Sequence, residues 1–305
     1  MTHPIALSWR DPLTFFALLV TGIYAVLGLV IWLKPMDFAK RPYLTWAVIL
    51  PTLFILLFLG PRAWIAGIAV LSIFAFREFA RATGLAAKWP YCAVVYALIL
   101  GLALCSTFML YGLFMALPVW SIALLLAIPV LMGSYEGAVH YIGLAVIGLI
   151  YFGWFLAHLG FLAQAQQGLG YVLYVLFATQ FNDVSAFLLG KLFGKTHWTK
   201  LSPGKTVGGS LAALAVTMAF TYALWPIVFP QFEWWLVGLS GLIVGIGGQV
   251  GDLVMSAFKR DIGIKDFGTL LPGHGGILDR IDSLLWVAPL FFHTARFFHG
   301  GLGSG

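Results

Sequence analysis

Charge is scarce in this chain. Only 9% of its 305 residues are charged, 17 basic and 11 acidic, against about 25% in a typical soluble domain. So few charged groups cannot cover a water-soluble protein of this size, which excludes a soluble enzyme. Cysteine is scarcer still: Cys92 and Cys105 are the only two. On a shared helix they stand about 20 Å apart at a rise of 1.5 Å per residue, too far to bridge, so a secreted disulfide scaffold is excluded too. Low-complexity linkers and repeats are missing. Strict apolar/polar alternation is also lacking, as in Ile49–Leu59, and a transmembrane β-barrel requires it.

Apolar residues dominate instead. They make up 61% of the chain, the mean hydropathy is +0.98, and runs of about 18 residues, enough to cross a bilayer, recur. The pattern predicts an all-α, polytopic transmembrane helical bundle of about ten spans: 13–33, 44–60, 62–80, 91–109, 112–132, 138–160, 169–190, 208–229, 234–256 and 280–298. Trp32, Trp46, Trp64, Trp89, Trp234 and Trp235 fall near span ends, as in an interfacial aromatic belt. The first run follows Arg10 and Pro12 with no small-x-small cleavage site behind it, and is read as a retained helix. Gly-Pro at 60–61 divides 44–80 into two short spans. Residues 299–305 are expected to form a flexible tail.

The net charge of +6 is first a topology signal. Lys34, Lys40 and Arg41 follow the first span; Arg77, Arg81 and Lys88 the third; Lys191, Lys195, Lys200 and Lys205 the seventh; Lys259, Arg260 and Lys265 the ninth. The positive-inside rule makes this face cytoplasmic and turns both termini outward. The expected setting is an integral membrane protein of a bacterial inner (plasma) membrane, surrounded by membrane lipids and with no nucleic-acid partner.

Charge is also unevenly distributed. Between Trp89 and Asn182 the only charged residue is Glu136, whereas Asp183–Asp282 holds 15 of the 28 charges, nine of them in Asp252–Asp282. Residues 1–180 therefore read as a hydrophobic scaffold and 181–298 as the catalytic region, its site at the cytoplasmic side. Gln249, Asp252, Ser256 and Lys259-Arg260 recur at three to four residues and share one helical face. An Asp at membrane depth is costly unless it is paired or faces an aqueous cavity. Gly273, Gly275 and Gly276 lead into a helix start, an arrangement that offers backbone N–H groups to an anion. Asp279 and Asp282, three apart, lie on one face. Two carboxylates beside an anionic ligand require cations between them, and Mg²⁺ takes one or two carboxylates together with phosphate oxygens. Lys259, Arg260, Lys265 and Arg280 would meet the remaining phosphate charge. The Gly204-Lys205-Thr206 tripeptide is not a nucleotide P-loop, because position 199 is Thr rather than Gly and no strand precedes it. It reads as a basic loop able to touch phosphates.

Ser256-Ala-Phe-Lys259-Arg260, Lys265-Asp266 and Pro272-Gly-His274-Gly-Gly-Ile-Leu-Asp279-Arg280-Ile-Asp282 together resemble the signature of the phosphatidate cytidylyltransferases, or CDP-diacylglycerol synthases. Asn182-Asp183, the Gly-x-x-Phe-Gly-Lys stretch at 190–195 and Gln249-x-Gly-Asp252 are similar to other blocks of that family, so the likeness covers about 182–282. Arg77-Glu78-Phe79 resembles a short element near the end of an early helix. One block departs: Ser-Pro-Lys-Lys-Thr-x-Glu-Gly is here Ser202-Pro-Gly204-Lys-Thr-Val-Gly208-Gly, and an Arg appears as Lys191. The departures suggest a divergent branch.

The resemblance implies transfer of the cytidylyl group of CTP to phosphatidate or a related lipid phosphate, giving CDP-diacylglycerol and pyrophosphate for phospholipid synthesis. It implies Mg²⁺, with room for a second cation, held by Asp183, Asp252, Asp279 and Asp282. Asp252, Lys259, Arg260, Lys265, Asp266, His274, Asp279, Arg280 and Asp282 are then the catalytic set. Asn182, Lys191, Lys195, Ser202, Lys205, Thr206, Gln249, Ser256, Gly273, Gly275 and Gly276 are the substrate contacts. The likeness leaves room for a homodimer. Two other readings stay open: a CTP-dependent transferase or kinase acting on another lipid acceptor, and an ion-coupled transporter, since intramembrane carboxylates also mark ion paths.

Overall fold

The computed structural model describes residues 11–34, 37–197, 199–270 and 275–299. All ten expected spans are helical. They are α1 (Pro12–Leu33), α2 (Asp37–Phe58), α3 (Pro61–Ala82), α4 (Trp89–Thr107) and α5 (Tyr111–Met132). A continuous helix over Ala138–Ala163 follows, built of α6 (Ala138–Gly148), a π-helical segment (Leu149–Phe155) and α7 (Leu156–Ala163). Then come α8 (Gly168–Phe193), α9 (Val207–Ala223), the single turn α10 (Trp225–Val228), α11 (Trp234–Asp261) and α12 (Leu278–His299). His197 and Thr206 form an isolated antiparallel bridge.

Eight of the ten spans are both long and apolar enough to cross a bilayer. The other two depart for visible reasons. α9 has only 17 residues, and α12 opens with Asp279, Arg280 and Asp282 in its first two turns. The Gly60-Pro61 break does not yield two short spans. Gly60 takes φ 99°, Pro61 occupies the first turn of α3, and the helices on either side are each 22 residues long. Asp11 caps α1, its carboxylate accepting from the Thr14 N–H at 2.9 Å, with Pro12 pre-set for the first turn.

α1 and α2 form an outer hairpin. Only 6% of either apolar stretch is buried, against 56% of α11, so their side chains face lipid. Tyr24 and Tyr43 stack at 4.1 Å between them, and the Tyr24 hydroxyl donates to the Tyr43 carbonyl at 2.6 Å. α3 is tied to α7 by Trp64, whose Nε1 donates to the Leu159 carbonyl at 3.0 Å.

α8, α9, α11 and α12 approach one another closely through small residues, the usual device where lipid removes the hydrophobic drive for helix association. A Cβ on Gly209 would stand 2.5 Å from the Gly190 Cα, one on Gly245 2.5 Å from the Leu214 Cδ1, and one on Gly251 2.7 Å from the Asp282 carbonyl. The last contact positions the site. It sets the α12 backbone at Asp282–Ser283 directly on α11, one residue from Asp252.

Candidate active site

Three helices each contribute one carboxylate to a charged cluster. Asp183 of α8, Asp252 of α11 and Asp282 of α12 lie within mutual electrostatic reach, with Lys205, Lys259 and Arg280 around them. Asp252 is engaged on both oxygens: Lys205 Nζ lies 2.7 Å from Oδ2, and the Ser256 hydroxyl donates to Oδ1 at 3.4 Å. Lys205 also donates to the Gln249 carbonyl at 3.2 Å, while the Gln249 side chain donates to the Ser210 carbonyl at 3.2 Å. Asp282 accepts from the Ser283 N–H at 2.9 Å. Among the described residues neither Asp183 nor Asp282 has an ion-pair partner within 4.0 Å. Two half-buried carboxylates are thus left in a field of like charge.

Asp279 is engaged differently from the other three. It is buried, with Lys259 Nζ 2.9 Å from Oδ1 and the Phe267 and Gly276 N–H groups both donating to Oδ2 at 3.1 Å. It fastens the 262–277 loop to the start of α12 and balances the half-buried Lys259. An ideal helix puts residues 279 and 282 on one face. Here the loop folded over the helix start claims the first of them.

Glu78 of α3 joins from 200 positions away. Its Oε2 accepts from the Leu278 N–H at 3.0 Å, capping α12 from another helix. A Cβ on Gly268 would lie 2.5 Å from Glu78 Oε1, and one on Gly276 2.5 Å from Oε2, so the carboxylate is gripped between two glycines. Glu78 Oε1 is buried with no partner among the described residues. Nothing in its spacing ties Glu78 to the C-terminal cluster. The signals available in the sequence were its isolation as the only acidic residue between Asp37 and Glu136 and the likeness of Arg77-Glu78-Phe79 to a short family element.

The remaining candidates divide by position. Asn182 is fully buried and uses both ends of its amide: Nδ2 donates to the Gly245 carbonyl at 3.4 Å and Oδ1 accepts from the Thr217 hydroxyl at 3.1 Å. It thereby joins α8, α9 and α11. Thr206 is buried as the N-cap of α9, accepting from the Gly209 N–H at 3.2 Å. Arg260, Lys265, Asp266 and Arg280 are exposed near the loop, and Ser202 is half-buried. Lys191 and Lys195 are exposed, with Lys191 4.1 Å above the Phe187 ring. Gly275 takes φ 82°, and a Cβ there would meet Asp279 Oδ2 at 3.3 Å and Asp266 Cβ at 3.5 Å. Pro272, Gly273 and His274 lie outside the described residues, as do 300–305 of the expected tail.

The departing block has a local cause at one position. A Cβ on Gly208 would stand 2.6 Å from the Phe193 carbonyl, so a larger residue does not fit there, whereas Gly204 has open space around it.

The chain is an integral membrane protein with a charged cluster at one end of its helices, and comparison with known proteins agrees with that chemistry. Residues 40–298 match the cytidylyltransferase family. The uncharacterized protein YnbB of Escherichia coli (strain K12) is 33% identical over 303 residues, covering 93% of this chain and 97% of that protein. A phosphatidate cytidylyltransferase of Staphylococcus haemolyticus is 42% identical over 131 residues, and one of Staphylococcus aureus (strain COL) 44% over 135. Each of these two matches takes in 43% of this chain and 50% of the relative. With the match to the family running from α2 to the end of α12, the chain belongs to the cytidylyltransferase family and is a nucleotidyltransferase.

Proposed function

We propose that this protein transfers the cytidylyl group of CTP to phosphatidate, giving CDP-diacylglycerol and pyrophosphate. The observation that carries the reading is the meeting of Asp183, Asp252 and Asp282 with Lys205 and Lys259 at the end of an apolar bundle, where a lipid head group and a nucleotide can share one site.

Both reactants are anionic, and their repulsion has to be offset before they approach. Among the described residues no three His, Cys, Asp or Glu side chains enclose a metal ion by themselves. That suits Mg²⁺, which takes one or two carboxylates and completes its shell with phosphate oxygens and water. One or two of Asp183, Asp252 and Asp282 would supply its hard oxygen donors, and Asp183 and Asp282, which have no ion-pair partner among the described residues, gain most from a cation. When bound, the ion neutralises phosphate charge and stabilises the departing pyrophosphate. Asp279 stays with Lys259: its side chain is 2% exposed and takes two further N–H bonds, whereas that of Asp252 is 28% exposed and open to a cation. Lys205 and Lys259, with Arg260, Lys265 and Arg280 at the mouth, hold the phosphates. An oxygen of the lipid phosphate attacks the α-phosphorus of CTP, and the new P–O bond forms as the bond to pyrophosphate breaks. That oxygen is already ionised at neutral pH, so no general base is needed. The Lys/Arg-rich loops favour a site on the cytoplasmic side, where CTP is available.

The test is incubation of purified protein with labelled CTP, Mg²⁺ and phosphatidate. A lipid-soluble CDP product with stoichiometric pyrophosphate is expected, and excess chelator should abolish it. Undiminished turnover in chelator would overturn the metal assignment. A different lipid phosphate is the second reading, favoured by Gly204 and Gly208 where the resembled block carries Lys and Glu. Product from another lipid phosphate but none from phosphatidate would select it.

A further inference from the structure

Three threonines within α8 and α9 are fully buried, and one of them spends its hydroxyl differently from the others. Thr179 of α8 donates to the Val175 carbonyl at 2.6 Å, and Thr221 of α9 donates to the Thr217 carbonyl at 2.8 Å. Each bonds back into its own helix, the usual habit of a threonine inside one. Thr217 instead donates across to α8, reaching Asn182 Oδ1 at 3.1 Å.

The sense of this bond is fixed by its neighbours. The Gly245 carbonyl only accepts, so the Asn182 amide nitrogen, 3.4 Å away, turns toward it and leaves Oδ1 for the Thr217 hydroxyl, which donates. Thr221 gives its proton to the Thr217 carbonyl, so its oxygen accepts from the Tyr174 hydroxyl at 2.9 Å. A chain of buried bonds thus runs from Tyr174 through Thr221, Thr217 and Asn182 to Gly245, and joins α8, α9 and α11. On α11 a Cβ at Gly248 would stand 3.5 Å from Asn182 Nδ2. With none of its surface exposed, Asn182 works on the helices around it.

The next residue on α8 is Asp183, half-buried and within the charged cluster. Successive helical residues point about 100° apart, so pinning Asn182 also sets the direction of Asp183. A turn of α8 by about 20° would carry a carboxylate lying roughly 6 Å from the helix axis by about 2 Å. A misplacement of about 1 Å can cost on the order of a hundredfold in rate. We propose that Thr217 is a positioning residue: through Asn182 it sets the rotation of α8 and holds Asp183 where a divalent ion binds. This rests on the metal reading above.

The test removes the hydroxyl and keeps the shape. Thr217→Val is compared with the wild type, and Thr217→Ala with Thr217→Ser, a second pair that serves if the valine variant fails to fold. Mn²⁺ binding to the purified protein, with and without CTP and with no lipid acceptor, is followed by electron paramagnetic resonance, so no turnover is needed. Thr217→Val and Thr217→Ala should weaken Mn²⁺ about tenfold, the low end for partners that act through a ligand, while Thr217→Ser stays within about twofold of the wild type. Thr179→Val controls for general loosening, since it deletes an equally buried hydroxyl that is spent within α8. Equal weakening in Thr179→Val, or unchanged Mn²⁺ binding without the Thr217 hydroxyl, overturns the proposal. Asp183→Asn shows which statement failed. If it weakens Mn²⁺ and Thr217→Val does not, the metal assignment of Asp183 stands and the positioning role falls. If Asp183→Asn leaves Mn²⁺ unchanged, or the wild type binds none in either state, both fall.

Discussion

Glu78 offers the sharpest test of how the site is held. Its carboxylate accepts from the Leu278 N–H at 3.0 Å and lies between Gly268 and Gly276. Glu78→Ala removes a hydrogen bond to a charged acceptor, worth roughly 1.5–3 kcal/mol, and a negative charge at a helix start, worth about 0.3–1 kcal/mol. A loss of about 2–4 kcal/mol is expected, concentrated in the loop that α12 anchors. Gly268→Ala attacks the same contact from the other side. All three atoms nearest its new Cβ belong to Glu78: Oε1 at 2.5 Å, Cδ at 2.8 Å and Cγ at 3.3 Å. Alone it should cost about 1–3 kcal/mol, as overpacking does. In the Glu78→Ala background the obstacle is gone and the second cost should fall nearly to zero. The double-mutant cycle should therefore show a coupling of about 1–3 kcal/mol. The assay is reversible unfolding in detergent, with proteolysis of the 262–277 segment as a local probe. Additivity within about 0.5 kcal/mol, the behaviour of independent sites, would refute the clamp.

Asp279→Asn leaves Lys259 half-buried without its partner, so detergent stability should drop by about 3–5 kcal/mol, the scale for breaking a buried pair; unchanged stability would return Asp279 to the metal. Asp183→Asn removes a carboxylate with no ion-pair partner among the described residues, and should hold stability within about 1 kcal/mol while turnover collapses; retained turnover would remove Asp183 from the proposed metal site. Gly204→Lys enters open space and should leave unfolding unchanged, whereas Gly208→Glu drives a side chain toward the Phe193 carbonyl and should lower the melting temperature; equal tolerance would contradict the loop geometry. Cysteines placed at Thr196 and Thr269 should both be labelled by an impermeant reagent from the cytoplasmic face only, and labelling from the other face would reverse the orientation.

Much of the fold was legible because helix and bilayer impose the same constraint on the sequence. An apolar run of the right length in lipid has to satisfy its backbone internally, so each run became a helix, including α9 and α12, which fall short as independent spans. The charge map singled out the candidate cluster for a related reason: in a chain this poor in charge, charged side chains gathered at membrane depth are costly unless they are paired or face water. What the sequence did not carry was the partner of each carboxylate. Periodicity relates 279 to 282 on an ideal helix, but Asp279 is claimed by N–H groups of an irregular loop, and loops have no period. Glu78 was visible only as an isolated acid and a three-residue likeness, because its contact spans 200 positions and depends on two glycines that offer space rather than a signal.

The arrangement also explains why an apolar scaffold tolerates so many acids at one end. Asp252 and Asp279 each hold a lysine, at 2.7 and 2.9 Å, so the two ion pairs share their desolvation cost between opposite charges. Asp183 and Asp282 have no such offset among the described residues, and the Gly251 crossing lets the α12 backbone at Asp282–Ser283 lie directly on α11, one residue from Asp252. Replacing Gly251 with a larger residue would separate the carboxylates and ease their repulsion. On the metal reading proposed above, the close crossing concentrates negative charge where a cation would gain most. On this argument the glycines of α11 serve the site as directly as its acids do. Their contribution is distance, and it should appear experimentally as lost affinity for the divalent ion when Gly251 is enlarged.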